Sequence, residues 1–325
     1  MQATVLLALM AGATAISAHA QTSATAGSYP NRPIRIIVPF SAGSASDFLA
    51  RQLAEKMTEH WGQQVVVDNR PSAGGIVAGE IVTRATPDGH TLMVTSSGIA
   101  GSAALYPKLP YDTAKDFASV SMVAIGSNMF VAPPNAGIKT MKDLIEIAKK
   151  KPGQLTYGHS GIGSGTHYAS EYFNDAASIK TVHVPYKGAP AVLADTATGR
   201  LNYGVVPIAA AISMVKSGRV VAVAVTTSKR NHALPDVPTI GESGLPGFAY
   251  EGWFGMFAPG KLPPELIGKL TAEVKRILNL PDVRERIMNQ AMIPNPTDPQ
   301  TLHKLLTTEI ETRKRIFKDM SAPSR

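Results

Sequence analysis

Two loops rich in serine and glycine carry the side chains of this sequence that are best suited to bind a ligand. Each follows a short apolar run, at 34–40 and at 154–157, and each leads into a helical pattern. The hydroxyl, glycine and acidic positions of these loops are Ser41, Gly43, Ser44, Ser46 and Asp47 in the first and Ser160, Gly163, Ser164 and Thr166 in the second. Hydroxyls and free main-chain N–H groups at the start of a helix favour an anion. The two loops therefore predict two half-sites that close on a small negatively charged ligand.

The residue pattern offers little for covalent or metal-assisted catalysis. No serine lies in G-x-S-x-G, no P-loop occurs, and the segment 161–166 does not meet G-x-G-x-x-G. H-E-x-x-H is absent, the eight histidines show no ligand spacing, and there is no cysteine. His159 and His167, which flank the second loop, either act together or form the pocket wall and a first helical turn; the second interpretation is favoured. We expect no metal and no cofactor, and an enzyme assembled from distant residues stays as an alternative.

Alternating strands and helices must hold these loops in place. The run at 34–39 is typical of a buried parallel strand, and Leu49, Leu53 and Met57 form a helical stripe after it. Further strands are predicted at 64–67, 91–95, 117–125, 129–131, 182–184, 201–206, 220–225 and 253–258. Helices are predicted at 76–85, 141–150, 264–278, 281–290 and 299–320, and another follows the loop 185–190 and runs through Asp195. This alternation predicts an α/β protein with mostly parallel sheets and a ligand beyond the carboxyl ends of the strands.

The length of the chain indicates its number of domains, and the distribution of its charge indicates which partners to expect. A chain of 325 residues is long enough for about two domains. The formal net charge is +8, but the basic residues are spread along the sequence. The densest groups, 149–151 and 313–315, are expected at helix C-terminal ends, where they complement the dipole and face water. Nucleic acid is therefore not expected as a partner.

The first twenty residues are typical of a secretory signal peptide. An apolar run from Val5 to Ile16 precedes Ala18-His19-Ala20, an A-x-A cleavage pattern, although no Lys or Arg occurs before Arg32. We predict a signal peptide at 1–20 and a disordered lead-in at 21–28. A loose tail on a cytoplasmic protein is the alternative. No later segment reaches the roughly 18 apolar residues that span a bilayer.

Several motifs together resemble a known family. They are Tyr29-Pro30-x-Arg32-Pro33-Ile34-Arg35-x-Ile37-Val38-Pro39-Phe40, Asn69-Arg70-Pro71-x-Ala73-Gly74-Gly75, Pro87-Asp88-Gly89, Val182-His183-Val184-Pro185-Tyr186-Lys187-Gly188, Leu234-Pro235-Asp236-Val237-Pro238-Thr239 and Trp253-Phe254-Gly255. In this order they resemble the Bug family, the periplasmic solute-binding proteins of tripartite tricarboxylate transporters. The resemblance runs from about Tyr29 to the C terminus. It implies a type II periplasmic binding protein: two lobes, two mostly parallel sheets, a cleft between them and two crossing hinge strands.

The resemblance also assigns roles to residues in the loops. The family's first loop, Pro-Phe-Pro-Pro-Gly-Gly-x-x-Asp, keeps Gly43 and Asp47 here, whereas Ser41, Ala42 and Ser44 depart from it. Asp47 either contacts the solute or caps the helix. Ser96 and Ser97 fit a third strand-end loop. Ser160, Gly163, Ser164 and Thr166 fit the anion loop of the second lobe, where Ser164 and Thr166 are either ligands or plain helix caps.

Further along, Tyr186 is expected to form a wall of the cleft, and Lys187 either supplies positive charge or is solvated. Trp253 is expected where a crossing strand enters the first lobe, and the alternative is that it is an ordinary core residue. Many family members carry Asp-Asn near the positions of Val206 and Pro207. This apolar departure predicts a ligand with a less polar, aromatic or aliphatic body.

The resulting prediction is a monomeric periplasmic protein without catalytic activity. Residues 29–127 and 253–325 are expected to form one lobe and residues 128–252 the other. The ligand would be a small organic carboxylate, delivered to membrane permease subunits or presented to a sensor. The alternatives are a periplasmic enzyme that uses the same cleft and a binding module without a transport partner.

Overall fold

The computed structural model describes residues 29–318. The predicted signal peptide at 1–20 and the predicted lead-in at 21–28 lie outside these residues. None of the helices within 29–318 combines the length and the apolar character that a bilayer crossing requires.

Strands and helices alternate through most of the described chain, as the sequence predicts. The strands are β1 (Ile34–Val38), β2 (Val65–Asn69), β3 (Thr91–Ser96), β4 (Phe117–Gly126), β5 (Asn128–Ala132), β6 (Thr156–His159), β7 (Val182–Pro185), β8 (Tyr203–Pro207), β9 (Val221–Val225), β10 (Gly252–Pro259) and β11 (Met292–Pro294). The helices are α1 (Ala45–Trp61), α2 (Ile76–Thr83), α3 (Gly98–Leu105), α4 (Met141–Lys150), α5 (Gly165–Ala177), α6 (Ala189–Ala197), α7 (Ile208–Lys216), α8 (Ile240–Ser243), α9 (Pro264–Leu278), α10 (Pro281–Asn289) and α11 (Pro299–Ile316). The sequence did not predict α3, α7, α8 or β11.

The strands form two sheets, and each sheet belongs to one lobe. The first lobe contains the six-stranded sheet β11-β4-β10-β3-β1-β2, and the second lobe contains the five-stranded sheet β7-β6-β8-β5-β9. The α/β class and the two-lobed architecture are as predicted. The pairing is mixed rather than mostly parallel: β1 pairs in parallel with β2 and β3, and β6 with β7 and β8, whereas the pairs that involve β4, β5 and β10 are antiparallel.

The antiparallel strands are those that carry the chain between the lobes. β4 ends at Gly126 in the first sheet, and β5 begins at Asn128 in the second. β10 returns beside β4, with Gly252 opposite Gly126. Because one chain segment leaves a lobe where the other enters it, the two must run in opposite directions. The parallel strands β1, β3 and β6 are left to present the serine and glycine loops at their carboxyl ends.

Each sheet packs helices on both faces. The predicted stripe of Leu49, Leu53 and Met57 is fully buried against the first sheet. On its opposite face, α2, α3 and α11 cover a second apolar cluster that includes Trp253. Burying one such aliphatic side chain contributes about 1.5–3 kcal/mol. These clusters hold the strand ends, and therefore the loops, in fixed positions.

Candidate functional site

The first loop is organised by the start of α1. Ser44 is the N-cap residue, and its Oγ accepts a hydrogen bond from Asp47 N at 3.3 Å. The Asp47 carboxylate accepts from Gly43 N at 2.9 Å and pairs with Arg51 at 2.9 Å. Ser44 and Asp47 therefore use their side chains within the helix terminus. Ser41 and Gly43 are exposed at the loop tip, and Ser46 is buried.

The charge of Asp47 is held by these contacts. Burial alone would raise the pKa of this carboxyl, but hydrogen bonds from Arg51 and from the Gly43 amide outweigh burial and leave the pKa below its usual value. The N-cap of α1 is Ser44, and the Asp47 carboxylate bonds the Gly43 amide and Arg51 instead of the Phe48 and Leu49 amides. A contact of Asp47 with a solute stays a prediction.

The third strand end leads directly into a helix. β3 ends at Ser96, and α3 begins at Gly98, so that Ser97 is the N-cap residue. Ser96 Oγ accepts from Gly98 N at 3.3 Å. Ser97 makes no side-chain cap; its Oγ lies 2.9 Å from Tyr250 Oη instead. The first N–H groups of a helix lack intrahelical acceptors, so this junction offers donors to an anion.

The second-lobe loop connects β6 to α5. Ser164 is the N-cap of α5, and its Oγ accepts from His167 N at 3.2 Å and lies 2.9 Å from Thr166 Oγ1. Thr166 Oγ1 also accepts from Ser160 N at 3.0 Å. The loop is thus held by its own hydroxyls, and Gly163 has a φ of 77°, in the left-handed region that favours glycine.

Three histidines lie immediately beside this loop. One ring nitrogen from each of His159, His167 and His183 lies within 4.8 Å of the others. The rings of His159 and His167 are stacked, with centroids 4.2 Å apart. His167 Nδ1 accepts from Gly163 N at 3.1 Å, so in the neutral ring Nε2 carries the proton and has no free lone pair. This arrangement does not fit a metal ion, which needs an unprotonated nitrogen from each ring.

Both inner histidines are kept neutral. Burial lowers the pKa of His159 to about 3 and that of His167 to about 2, and in His167 the neighbouring histidines and Arg313 add to the effect. Neutral rings suit the prediction that these histidines form the wall and first turn of the site.

Loops of the two lobes meet at glycine positions. A Cβ atom placed on Gly101 of α3 would lie 2.1 Å from Gly163 O, so the two backbones touch where only glycine fits. A Cβ atom on Gly165, the first residue of α5, would lie 3.3 Å from Ser97 Oγ. The N-terminal parts of α3 and α5, which belong to different lobes, therefore lie close together.

The other predicted site residues lie in varied surroundings. Tyr186 Oη donates to Asp195 at 2.7 Å; burial and this hydrogen bond raise the pKa of Tyr186 to about 12. Lys187 is exposed. Val206 is fully buried in an apolar cluster of the second lobe, whereas Pro207 is half-buried. An apolar surface at this strand end can therefore come from Pro207 and not from Val206.

Two residues near the loops were not predicted. Tyr250 precedes β10 and contacts Ser97, and Arg313 of α11 donates to Tyr250 Oη at 3.0 Å. The sequence predicts that the basic group 313–315 faces water, but the Arg313 side chain is fully buried. The burial of Arg313 was not predicted because its neighbours Lys314 and Arg315 are also basic. Its spacing from Leu302, Leu306 and Ile310, which places it on the same buried face of α11, could have indicated it.

A family model described as "tripartite tricarboxylate transporter family receptor" matches residues 49–322. The chain belongs to this family. It is 34% identical over 290 residues to a protein encoded in the tcbD-tcbE intergenic region of Pseudomonas sp. (strain P51), with 89% of this chain and 86% of that protein covered. It is 30% identical over 300 residues to protein BugT of Bordetella pertussis, with 92% of each chain covered. The resemblance to the Bug family is confirmed.

Solved structures of similar proteins share the fold. Rpa4515 of R. palustris with adipate superposes with a TM-score of 0.81 at 31% identity, covering 89% of this chain and 97% of that one. MatC from Rhodopseudomonas palustris with bound malate gives a TM-score of 0.78 at 31% identity, covering 89% and 99%. The type II binding-protein architecture of the receptor family therefore applies to this chain.

Proposed function

We propose that this protein captures a small organic carboxylate between its two lobes in the periplasm and delivers it to a tripartite tricarboxylate-type permease. The family is a receptor family, and the two similar structures contain the carboxylates adipate and malate. We keep the division into 29–127 with 253–325 and 128–252 as part of this proposal, because β4 and β5 separate at Ser127 and β10 returns at Gly252.

One observation carries the proposal: the N-terminal ends of α3 and α5 approach each other from opposite lobes. Both ends carry partial positive charge, so their approach is unfavourable unless an anion lies near them. One helix end contributes about 0.3–1 kcal/mol to anion binding, whereas a micromolar complex needs about 8 kcal/mol. Charge-assisted hydrogen bonds from loop amides and hydroxyls must supply most of the difference.

We propose the serine and glycine positions of the three loops as the ligand-contacting set, with Tyr186 and Pro207 at its edge. The side-chain hydrogen bonds of Asp47, Ser164 and Thr166 within their own termini favour main-chain N–H groups as the donors there. We propose that the ligand body is aliphatic or aromatic, and this part of the proposal depends on the half-buried Pro207 alone, because Val206 is fully buried.

A thermal-shift and calorimetric screen of carboxylates tests this function. A ligand at about 100 times its Kd should add roughly 2.7 kcal/mol to the free energy of unfolding. Malate, adipate and benzoate should raise Tm to different extents, with adipate or benzoate ahead of citrate and aspartate if the ligand body is apolar. Absence of any shift with all carboxylates would overturn carboxylate capture.

A periplasmic enzyme in the same cleft is the competing function. Among the described residues of the loops, Asp47 is paired with Arg51, and His159 and His167 are buried and neutral. Chemical change of a bound acid in a turnover assay would favour this alternative. Pull-down with the permease subunits would separate transport from a role in sensing.

A further inference from the structure

Arg313 is buried where the two lobes meet. Its side chain is fully buried, and its guanidinium lies 4.4 Å from the centroid of the Tyr168 ring in the second lobe. Nη2 donates to Glu309 at 2.9 Å and to Tyr250 Oη at 3.0 Å, and Nη1 donates to Gly163 O at 3.4 Å. Burying an ion pair is weak evidence for a stabilising role, because desolvation offsets the attraction. The N–H donors of Arg313 therefore have their clearest effect on the orientation of the groups that accept from them.

The hydrogen bonds of Arg313 have only one possible direction. A guanidinium donates and never accepts, so Tyr250 Oη must accept from Nη2. The single hydroxyl hydrogen of Tyr250 then needs an acceptor of its own. Ser97 Oγ, at 2.9 Å, lies in position to accept it. Either hydroxyl can donate at this distance; with Tyr250 as the donor, the chain of donors runs from Arg313 through Tyr250 to Ser97.

Ser97 is left with its own hydroxyl hydrogen to donate. Its side chain caps no amide of α3, although Ser97 is the N-cap residue. Next to Ser97 Oγ lies the first turn of α5: a Cβ on Gly165 would be 3.3 Å from Ser97 Oγ and 3.9 Å from Asn128 Nδ2. Helix starts and amide nitrogens are donors. With the donors of the α5 start on this side of Ser97 Oγ, the Ser97 hydroxyl hydrogen is available to an acceptor from outside the protein.

We propose that Arg313 and Tyr250 are positioning residues for the ligand, and that their hydrogen-bond chain fixes the Ser97 hydroxyl as a donor to the ligand carboxylate. This inference rests on the proposed function. It also couples orientation to lobe closure, because the same guanidinium that orders Tyr250 donates to Gly163 O of the second-lobe loop. Tyr250 then holds the orientation of the Ser97 hydroxyl only when the lobes are together.

Calorimetry on Tyr250→Phe provides the first test. Phenylalanine keeps the ring, which packs edge-on against Tyr168 with centroids 5.0 Å apart, and removes only the hydroxyl. Without that hydroxyl, Ser97 loses its fixed orientation, and we expect Kd for the bound acid to rise about tenfold. The ligand-free Tm should change little. Tyr172→Phe, a half-buried tyrosine that stacks on Phe248, is the matched control and should leave Kd unchanged.

A double-mutant cycle separates positioning from a general structural effect. Ser97→Ala alone should weaken binding about tenfold or more. In the Ser97→Ala background, Tyr250→Phe and Arg313→Lys should add almost nothing, because the hydroxyl that they orient is already gone. Effects on Kd that multiply independently would overturn the inference, since a merely structural role does not depend on Ser97.

The probes are malate, adipate and benzoate, and the first step is wild-type binding. A wild-type protein that binds none of these acids refutes the proposed function and this inference together. A wild-type protein that binds one of them, with a Tyr250→Phe variant of unchanged Kd, refutes the positioning role alone. Non-additive losses at Ser97 and Tyr250 support both.

Discussion

At the scale of single residues, Asp47 illustrates how a candidate ligand side chain is already engaged within the protein. Its carboxylate bonds the Gly43 amide and pairs with Arg51, and it lies almost fully buried at the start of α1. The lowered pKa of Asp47 means that the ionised form stabilises the folded protein. That contribution is complete above the unfolded pKa of about 3.9 and is lost as the pH falls through the lower folded value.

Asp47→Asn should therefore lower the free energy of unfolding by about 1 kcal/mol at pH 7. The difference from wild type should shrink below about pH 4, where the Asp47 carboxyl of the unfolded chain takes up a proton that the folded protein does not yet bind. Urea denaturation at a series of pH values measures both. Because the carboxylate is already engaged by the Gly43 amide and Arg51, ligand affinity should stay nearly the same. A tenfold loss of affinity, about 1.4 kcal/mol, with unchanged stability would instead identify Asp47 as a ligand contact.

At the scale of elements, the sequence predicted those helices and strands that are determined by interactions between residues close in the chain, such as helix caps. The helix α4 matches its predicted bounds because Thr140 and Asp143 form a reciprocal capping box and Lys149 and Lys150 lie in its last turn. The helix α3 was missed because its sequence, GIAGSAAL, has no polar face to give a helical period. Three-residue β11 contains a proline and forms only as an edge strand beside β4.

The parts of the candidate site that the sequence did not reveal depend on distant contacts. The serine and glycine loops follow strands and precede helices, so their anion-binding character could be predicted. The approach of Gly101 to Gly163 and the contact of Tyr250 with Ser97 join segments far apart in the chain. Neither hydrophobic periodicity nor a capping motif predicts such pairs, because only the packing of the two lobes brings them together.

The loop between β6 and α5 should make the protein sensitive to acid. His159 and His167 stay neutral in the folded protein down to pKa values of about 3 and about 2, whereas an unfolded histidine protonates near 6.5. Below about pH 6.5 the unfolded chain binds protons that the folded one does not. Each residue should thus reduce the free energy of unfolding, with a slope that approaches about 1.4 kcal/mol per pH unit.

His167→Asn tests this acid sensitivity, because an asparagine oxygen can still accept from Gly163 N. The slope of the free energy of unfolding against pH, between about pH 6 and 4, should decrease by nearly the contribution of one bound proton, which is about 1.4 kcal/mol per pH unit. His303→Asn, on an exposed position of α11 outside the cluster, is the control. An unchanged slope in His167→Asn would show that the ring is protonated in the folded state.

At the scale of the whole molecule, α11 and α3 connect the first lobe to the second. The ring of Phe317, just after α11, stacks on His167 of α5 with centroids 5.1 Å apart and is buried in the apolar cluster of the second lobe. The backbones of Gly101 and Gly163 touch beside it. These contacts require the lobes to be together, so a change that blocks them should act on closure and not on either lobe alone.

Gly101→Ala should oppose closure while leaving both lobes folded. The new methyl group would lie 2.1 Å from Gly163 O, a backbone atom of the opposite lobe that cannot move as a side chain can. With the lobes apart the clash with Gly163 is gone, and the other close neighbour, Arg313 Nη1 at 3.0 Å, is the end of a side chain that can shift. Alanine in a helix is favoured over glycine by up to about 1 kcal/mol. The ligand-free Tm should therefore hold or rise while ligand affinity falls more than about tenfold, or 1.4 kcal/mol. Small-angle scattering should show no decrease in radius of gyration on addition of the acid.

Gly268→Ala is the matched control for Gly101→Ala. Gly268 lies at an exposed position in α9, and no heavy atom lies within 4 Å of the new Cβ, so this variant makes the same helical change without meeting the other lobe. It should raise Tm and leave affinity and compaction as in wild type. If Gly101→Ala also bound and compacted normally, the contact between Gly101 and Gly163 would have no part in the ligand-bound state.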